Sequence, residues 1–221
     1  MDTQVEVPPE EAQAVAEDEP TGGAASLEFA AAQTTADLQR RLAEFGWPIA
    51  ADGAYGPSTF AAVRDFQRGF AWWRLLVDGH AGPKTWEALE YTHAHDGRCS
   101  PNFRFREFAS HGDRWIKVDR ELVHGLELYR ELLGHGLTII SGYRDPLYNN
   151  THGGARNSQH LYGNAADLPT DIAYPVVKKL RCFSGIGIQA ANNFVRHVDV
   201  RHRGPNTTGG TVDSPTIWYY R

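Results

Sequence analysis

The segment GGARNSQHLYGNAADL, residues 153–168, places the imidazole of His160 and the carboxylate of Asp167 on either side of Gly163 and a run of small residues. Small side chains let two ligands converge. A third donor follows in NFVRHVDVR, residues 193–201, a β-type stretch in which period-two alternation puts Val195, His197, Asp199 and Arg201 on one face. Two imidazoles and one carboxylate, with a fourth position open to water, make the donor set of a catalytic zinc site, whereas a structural site is closed by a fourth protein ligand. Such a set would hold one zinc ion. The chain has 10 histidines, so spacing alone does not select these two. Upstream, LTIISGYR at 137–144 reads as a β-branched strand running into a glycine corner, which would bring Arg144 out where loops build sites. Its alternative is an ordinary surface arginine.

The elements that must position these groups follow from the pattern. A helix near 118–134 carries Leu122, Val123, Leu126, Tyr129, Leu132 and Leu133 on one stripe and is closed by Gly134. Ahead of it lies a different architecture. Leu38, Leu42 and Phe45 recur at helical spacing up to Gly46, and then DGAYGPSTFAA at 52–62 returns as DGHAGPKTWEA at 78–88, with Asp, Gly, Gly, Pro, Thr and Ala repeated after 26 residues. Each copy reads as an Asp-Gly turn followed by a helix start, with Pro57 or Pro83 early in the helix and Thr59 or Thr85 near its cap. Val63, Phe66, Trp86 and Leu89 supply the buried stripe, so residues 27–92 predict a small three-helix module. The polar stretch 93–100 predicts a linker, in which His93 and His95 are read as solvated rather than as metal ligands with Cys99. Residues 101–221 then form the second domain.

Two resemblances sharpen this reading. The succession of LQ, DG-x-x-G-x-x-T, AV-x-x-FQ and a second DG-x-x-G-x-x-TW from Leu38 to Leu89 resembles the type 1 peptidoglycan-binding domain, which implies that the helical module holds bacterial cell wall. From 100 to 201, SPNF-x-x-x-EF, SGYR, GGA-x-x-S-x-H-x-x-G-x-A-x-D, GIG and the final histidine with H-x-D resemble the VanY-like zinc D-alanyl-D-alanine carboxypeptidase family. That resemblance implies an α+β domain with an antiparallel sheet. It also implies that His160, Asp167 and His197 hold zinc, that Arg144 receives a substrate carboxylate, and that Ser158 lies beside it. Relatives place Glu or Asp three residues before the last histidine ligand, or His two before it; here those positions are Phe194 and Val195. Asp199 is the candidate for the general base or for a carboxylate that orients a ligand. Arg196 is a further departure, inserted between Val195 and His197.

Composition sets limits on other readings. Net charge is −5, but residues 1–26 hold seven acids and no Lys or Arg, so the remaining chain is close to neutral and offers no electrostatic footprint for nucleic acid. Those first residues lack aromatics and periodicity and predict a disordered acidic tail. No apolar run is long enough to insert in a membrane, and the N-terminus lacks the pattern of a secretory signal. Cys99 and Cys182 are read as free thiols, with a single bridge as the alternative. The pairing of wall module and peptidase suggests a monomeric endolysin of a bacteriophage, made in the host cytoplasm and reaching the wall after holin release. A wall-binding or virion structural protein that keeps the fold without turnover is the alternative.

Overall fold

The computed structural model describes residues 33–169, 172–204 and 209–220. The expected acidic tail and the beginning of the helical module from Leu27 lie outside the described residues. Helix α1 (Thr35–Phe45) starts from a reciprocal cap in which Thr34 Oγ accepts from Asp37 N at 3.1 Å and the Asp37 carboxylate accepts from Thr34 N at 3.2 Å. It ends at Gly46, whose φ of 116° suits a residue without Cβ. Helices α2 (Pro57–Gly69) and α3 (Pro83–Ala94) each follow a glycine and begin with proline, as the repeat predicts.

The glutamines of the LQ and FQ pairs lock the repeats. Gln39 donates to Asp52 Oδ1, the Ala54 carbonyl and Thr59 Oγ1, each at 2.9 Å, and accepts from Gly53 N at 2.8 Å. Gln67 repeats the arrangement with Asp78 Oδ1, the His80 carbonyl and Thr85 Oγ1, and accepts from Gly79 N at 2.8 Å. Each buried amide is thus saturated by the turn that follows its own helix. Leu38, Leu42, Val63, Phe66, Trp86 and Leu89 fill the space between the three helices.

Helix α4 (Arg120–Leu133) is capped by Asp119, whose side chain accepts from Glu121 N, and stops at Gly134 in the left-handed region. Leu122, Val123, Leu126 and Tyr129 are buried, whereas Leu132, expected on the same stripe, is 41% exposed. A short helix α5 (Pro146–Thr151) follows, and α6 (Tyr174–Val177) precedes the last strands. The sheet contains β1 (Ala165–Asp167), β2 (Gly185–Gln189), β3 (Phe194–Asp199) and β4 (Thr216–Tyr220) in the order β1-β3-β2-β4. β1 and β2 run antiparallel to β3, as expected, but β4 pairs parallel to β2, so the sheet is mixed. The cause is the long connection after β3, which carries the chain past β2 to its far edge instead of closing a hairpin. Residues 137–141, expected as a strand, make an isolated bridge from Ser141 to Asp167 before turning at Gly142.

One irregularity matters for the site. Gly187 pairs with His197 and Ile188 with Val195, so β3 carries one extra residue, Arg196, in a β-bulge. Simple alternation fails there. Val195 and Val198 face the core with Ile186 and Ile188, whereas His197 and Asp199 share the opposite face with Gly185 and Gly187. The expectation that Val195 looks the same way as His197 is corrected by the bulge.

The expected linker 93–100 is packed into the fold. Cys99 and Ser100 are buried, Ala71 N donates to the Cys99 carbonyl at 2.9 Å, and Ser100 Oγ donates to Glu127 at 2.6 Å. The described residues from Thr34 onward form one compact unit with a continuous core, in which the Phe105 ring lies tilted between Trp47 and Phe66 at ring separations of 5.0 and 5.1 Å. Polar contacts reinforce this core: Arg120 donates to the Gln67 and Leu75 carbonyls at 2.8 and 3.2 Å, and Trp115 donates to Asp65 at 2.8 Å. Arg68 of α2 donates to Asp119 at 3.2 Å, to the Tyr162 carbonyl at 2.6 Å and to Asn164. Arg68→Ala should therefore lower stability by roughly 2 kcal/mol, since it leaves a largely buried carboxylate and two acceptors without their donor. Lys84→Ala, which removes an exposed pair with Glu87, should leave the urea midpoint unchanged. Denaturant unfolding of the two variants checks this ordering.

Candidate metal centre

The β1 and β3 register sets Asp167 directly opposite His197. The third group arrives from above the strands. His160 sits in the single 3-10 turn Gln159–Tyr162, which ends at Gly163 with φ of 69°. A Cβ on Gly163 would lie 2.6 Å from the Lys117 backbone, so the glycine in the motif serves both the left-handed turn and the close approach. Ser141 O accepts from Asp167 N at 2.8 Å and His160 O accepts from Arg144 N at 3.1 Å, which fastens the 141–144 corner to both ligand-bearing segments.

The three side chains meet. His160 Nε2 lies 3.2 Å from Asp167 Oδ1 and 3.2 Å from His197 Nδ1, and His197 Nδ1 lies 2.8 Å from Asp167 Oδ1. The remaining ring nitrogens fix the tautomers. His160 Nδ1 is 2.6 Å from the Gly142 carbonyl, an acceptor, so that nitrogen carries the proton and Nε2 presents its lone pair. His197 Nε2 is 3.3 Å from Asp199 Oδ2, which leaves Nδ1 as the inward lone pair. Three lone pairs thus converge, and tetrahedral zinc with bonds of about 2.0–2.2 Å needs ligand atoms about 3.3 Å apart. The donors fit that ion. Among the described residues, His160, Asp167 and His197 are the one such group able to hold a metal.

Electrostatics agree with a cation-seeking centre. Burial disfavours charge on His197, but hydrogen bonds and charge from Asp167 and Asp199 outweigh it and raise the pKa to about 9, so that near neutral pH the inward nitrogen holds a proton against Asp167 until a cation replaces it. His160 is equally buried, and desolvation prevails over Asp167, so its pKa is lowered. Asp167 is lowered against the burial effect by the two imidazoles. Asp199, also buried, is lowered to about 2 because His197 and Arg201 outweigh desolvation.

Asp199 points away from the donor triangle. It is fully buried, accepts from Arg201 N at 3.0 Å, Arg201 Nε at 2.9 Å and Arg201 Nη2 at 2.7 Å, and meets His197 on the outer nitrogen. Gly185 across the strand leaves the space that its carboxylate fills, since a Cβ there would collide with it. Arg144 donates through Nε to Ser141 Oγ at 2.9 Å and through Nη2 to Asp167. Both it and Ser158 line an open cleft of about 850 Å³ above the donor triangle.

Sequence reasoning missed three parts of this cleft. Trp218 stands on its wall with its ring 5.0 Å from His197. Tyr220 stands two residues along the same strand face, and Arg196 rises at the bulge. The alternation Thr216, Trp218, Tyr220 was a usable signal, but the face it opposes depends on β4 joining β2. His93 and His95 are not gathered with Cys99: His93 pairs with Glu44 at 3.1 Å, His95 bonds the Tyr91 carbonyl at 2.7 Å, and the buried Cys99 thiol bonds the Phe103 carbonyl. Both cysteines are free.

A three-donor centre opening into a cleft on a small mixed sheet is the arrangement of a metal-dependent hydrolase domain. Comparison with known proteins agrees: residues 102–199 match the peptidase M15 family, and residues 32–89 match the peptidoglycan binding domain family. The zinc D-Ala-D-Ala carboxypeptidase of Streptomyces albus G is 33% identical over 156 residues, covering 64% of this chain and 59% of that relative. The chain thus spans about three fifths of the length of the curated relative it matches. No described helix is long and apolar enough to cross a membrane.

Replacing Asp199 by Asn should keep the fold and lower zinc affinity about 10- to 100-fold, because the imidazole loses a charged acceptor while its neighbours remain. Competition with a zinc-binding dye, read beside circular dichroism, measures both.

Proposed function

We propose that this chain is a zinc-dependent peptidase of bacterial cell wall, hydrolysing an amide bond in the peptidoglycan stem peptide or cross-link. The observation that carries the reading is the triangle of inward lone pairs from His160, Asp167 and His197 beneath a cleft that also holds Arg144. Zinc in this triangle supplies Lewis-acid polarisation of an amide carbonyl and acidification of water. Everything else falls to the side chains. Arg144 presents a guanidinium fork to a peptide carboxylate, and its bond to Ser141 holds that fork at the cleft wall. Ser158 adds a hydroxyl beside the same cleft. Trp218 and Tyr220 shield the side of the centre facing β4 from bulk water.

The contacts of Asp199 support the orienting role over that of general base. A carboxylate held by three Arg201 donors and facing the outer nitrogen of His197 fixes that ring and keeps its inner lone pair aimed at the triangle. The helical module supports wall anchoring through its match to the peptidoglycan-binding family. Anchoring and cleavage in one monomeric chain suit a lytic enzyme of the endolysin kind, which works on an insoluble polymer.

Mass spectrometry of purified peptidoglycan, digested with zinc-loaded protein beside a chelated sample, tests the reading. New amino or carboxyl termini that vanish on chelation are expected, and they name the bond. His160→Ala should lose zinc and cleavage yet still sediment with cell walls. Absence of new termini from several wall types, with wall binding intact, would favour the non-catalytic alternative.

A further inference from the structure

Three arginines line the cleft, and two already have a carboxylate partner within the protein. Arg144 is paired with Asp167, and Arg201 is held against Asp199 with its guanidinium 5.0 Å from the Trp218 ring. Arg196 differs from both. Its Nη1 donates to the neutral amide oxygen of Gln189 at 3.0 Å, its guanidinium lies 5.9 Å from the Tyr220 ring, and among the described residues no carboxylate pairs with it. It is exposed at the cleft while its neighbours Val195 and His197 are buried.

The placement follows from the bulge. As the extra residue of β3, Arg196 interrupts the alternation between Val195 and His197, and its side chain reaches toward β2 and β4. Arg144 approaches from the other side, against Asp167 on β1. Both guanidinium groups thus line the cleft that holds the donor triangle.

We infer that Arg196 is a specificity-determining residue that binds a second substrate carboxylate, one carried within the peptide rather than at the terminus received by Arg144, so that the site prefers a peptide bearing an internal free acid. The inference rests on the peptidase reading above and deepens it. A planar guanidinium braced by Gln189 and an aromatic ring loses little freedom on pairing, and the partly enclosed cleft screens the pair less than open solvent does. An amidated residue at the same place offers a neutral oxygen and forgoes the charge.

The test uses two synthetic stem peptides that differ only in whether the carboxyl of the internal γ-linked glutamate is free or amidated. Calorimetric binding to the zinc-loaded full chain should favour the free acid by about tenfold, and KM should follow the same order with kcat little changed. Arg196→Gln should abolish the preference, weakening the free acid about tenfold more than the amidated peptide at unchanged zinc content, and Arg196→Lys should restore part of it. Equal binding of the two peptides by the wild-type protein would overturn the inference, as would an equal loss on both peptides in Arg196→Gln. Failure of the peptidase reading would look different: neither peptide would be cleaved, although the calorimetric preference could still be read.

Discussion

Inward-facing lone pairs repel one another unless a cation or a proton lies between them, and the described domain is organised to keep three of them together. Left alone, the His160, Asp167 and His197 side chains would relax outward by rotamer changes. Their outer atoms prevent it. Gly142 O holds His160, Asp199 holds His197, and Arg144 holds the second oxygen of Asp167. Each of these holders is itself fixed: Gly142 lies against the Phe108 backbone, where a Cβ would come within 2.7 Å, and Asp199 is gripped by Arg201. The convergence of the three donors is therefore maintained by a surround whose own bonds do not depend on a bound ion, which is how a site can be preorganised before its metal arrives.

The same surround ties the helical module to the chemistry. Arg68 lies on α2, yet it bonds the carbonyl of Tyr162, the last residue of the turn that carries His160. It also bonds Asn164, whose own carbonyl accepts from Val200 N at 2.9 Å just beyond Asp199. A single guanidinium on the first part of the chain thus braces the segment between His160 and Asp167, and Asn164 passes that support on to the end of β3. The tight fit at Gly69, where a Cβ would meet Val118 and Phe105, lets α2 come close enough for that reach. The three helices act in this architecture as a buttress of the site and not only as an appended module.

The parts of this arrangement that were legible in the sequence are those with local causes. The repeat, the proline-led helix starts and the glycine stops depend on residues a few positions apart, and His160 and Asp167 stand in one short motif around Gly163, to which the family resemblance adds His197. The parts that were not legible depend on pairing partners. The orientation of Val195 relative to His197 is decided by where β2 steps from Gly187 to Ile188, not by β3 itself. Trp218 reads as core because a Trp flanked by Ile217 and Tyr219 is apolar on both sides; only the addition of β4 beside β2 gives its face to the cleft. Residues 137–141 have strand propensity but pair through one bridge, because the backbone must turn at Gly142 to bring Arg144 back beside His160. The expected linker failed for a related reason: its polar residues find partners in the fold, as Ser100 does on Glu127, so composition resembling a spacer hid a packed segment.

Strand order then divides the labour within the sheet. The ligand pair stands on β1 and β3, where register is pinned by antiparallel pairing on both sides of β3. The cleft wall stands on β4 at the sheet edge, where Ile217 and Tyr219 on the reverse face are partly exposed and bury little against the core. Changes at Trp218 or Tyr220 can therefore reshape what the cleft accepts without moving a ligand backbone, while a slip of one residue in β3 would turn His197 from the centre to the core. The bulge at Arg196 is the point where these two requirements meet. It supplies the extra residue that keeps both Val195 in the core and His197 over the cleft, and its own side chain is a cation lining that cleft.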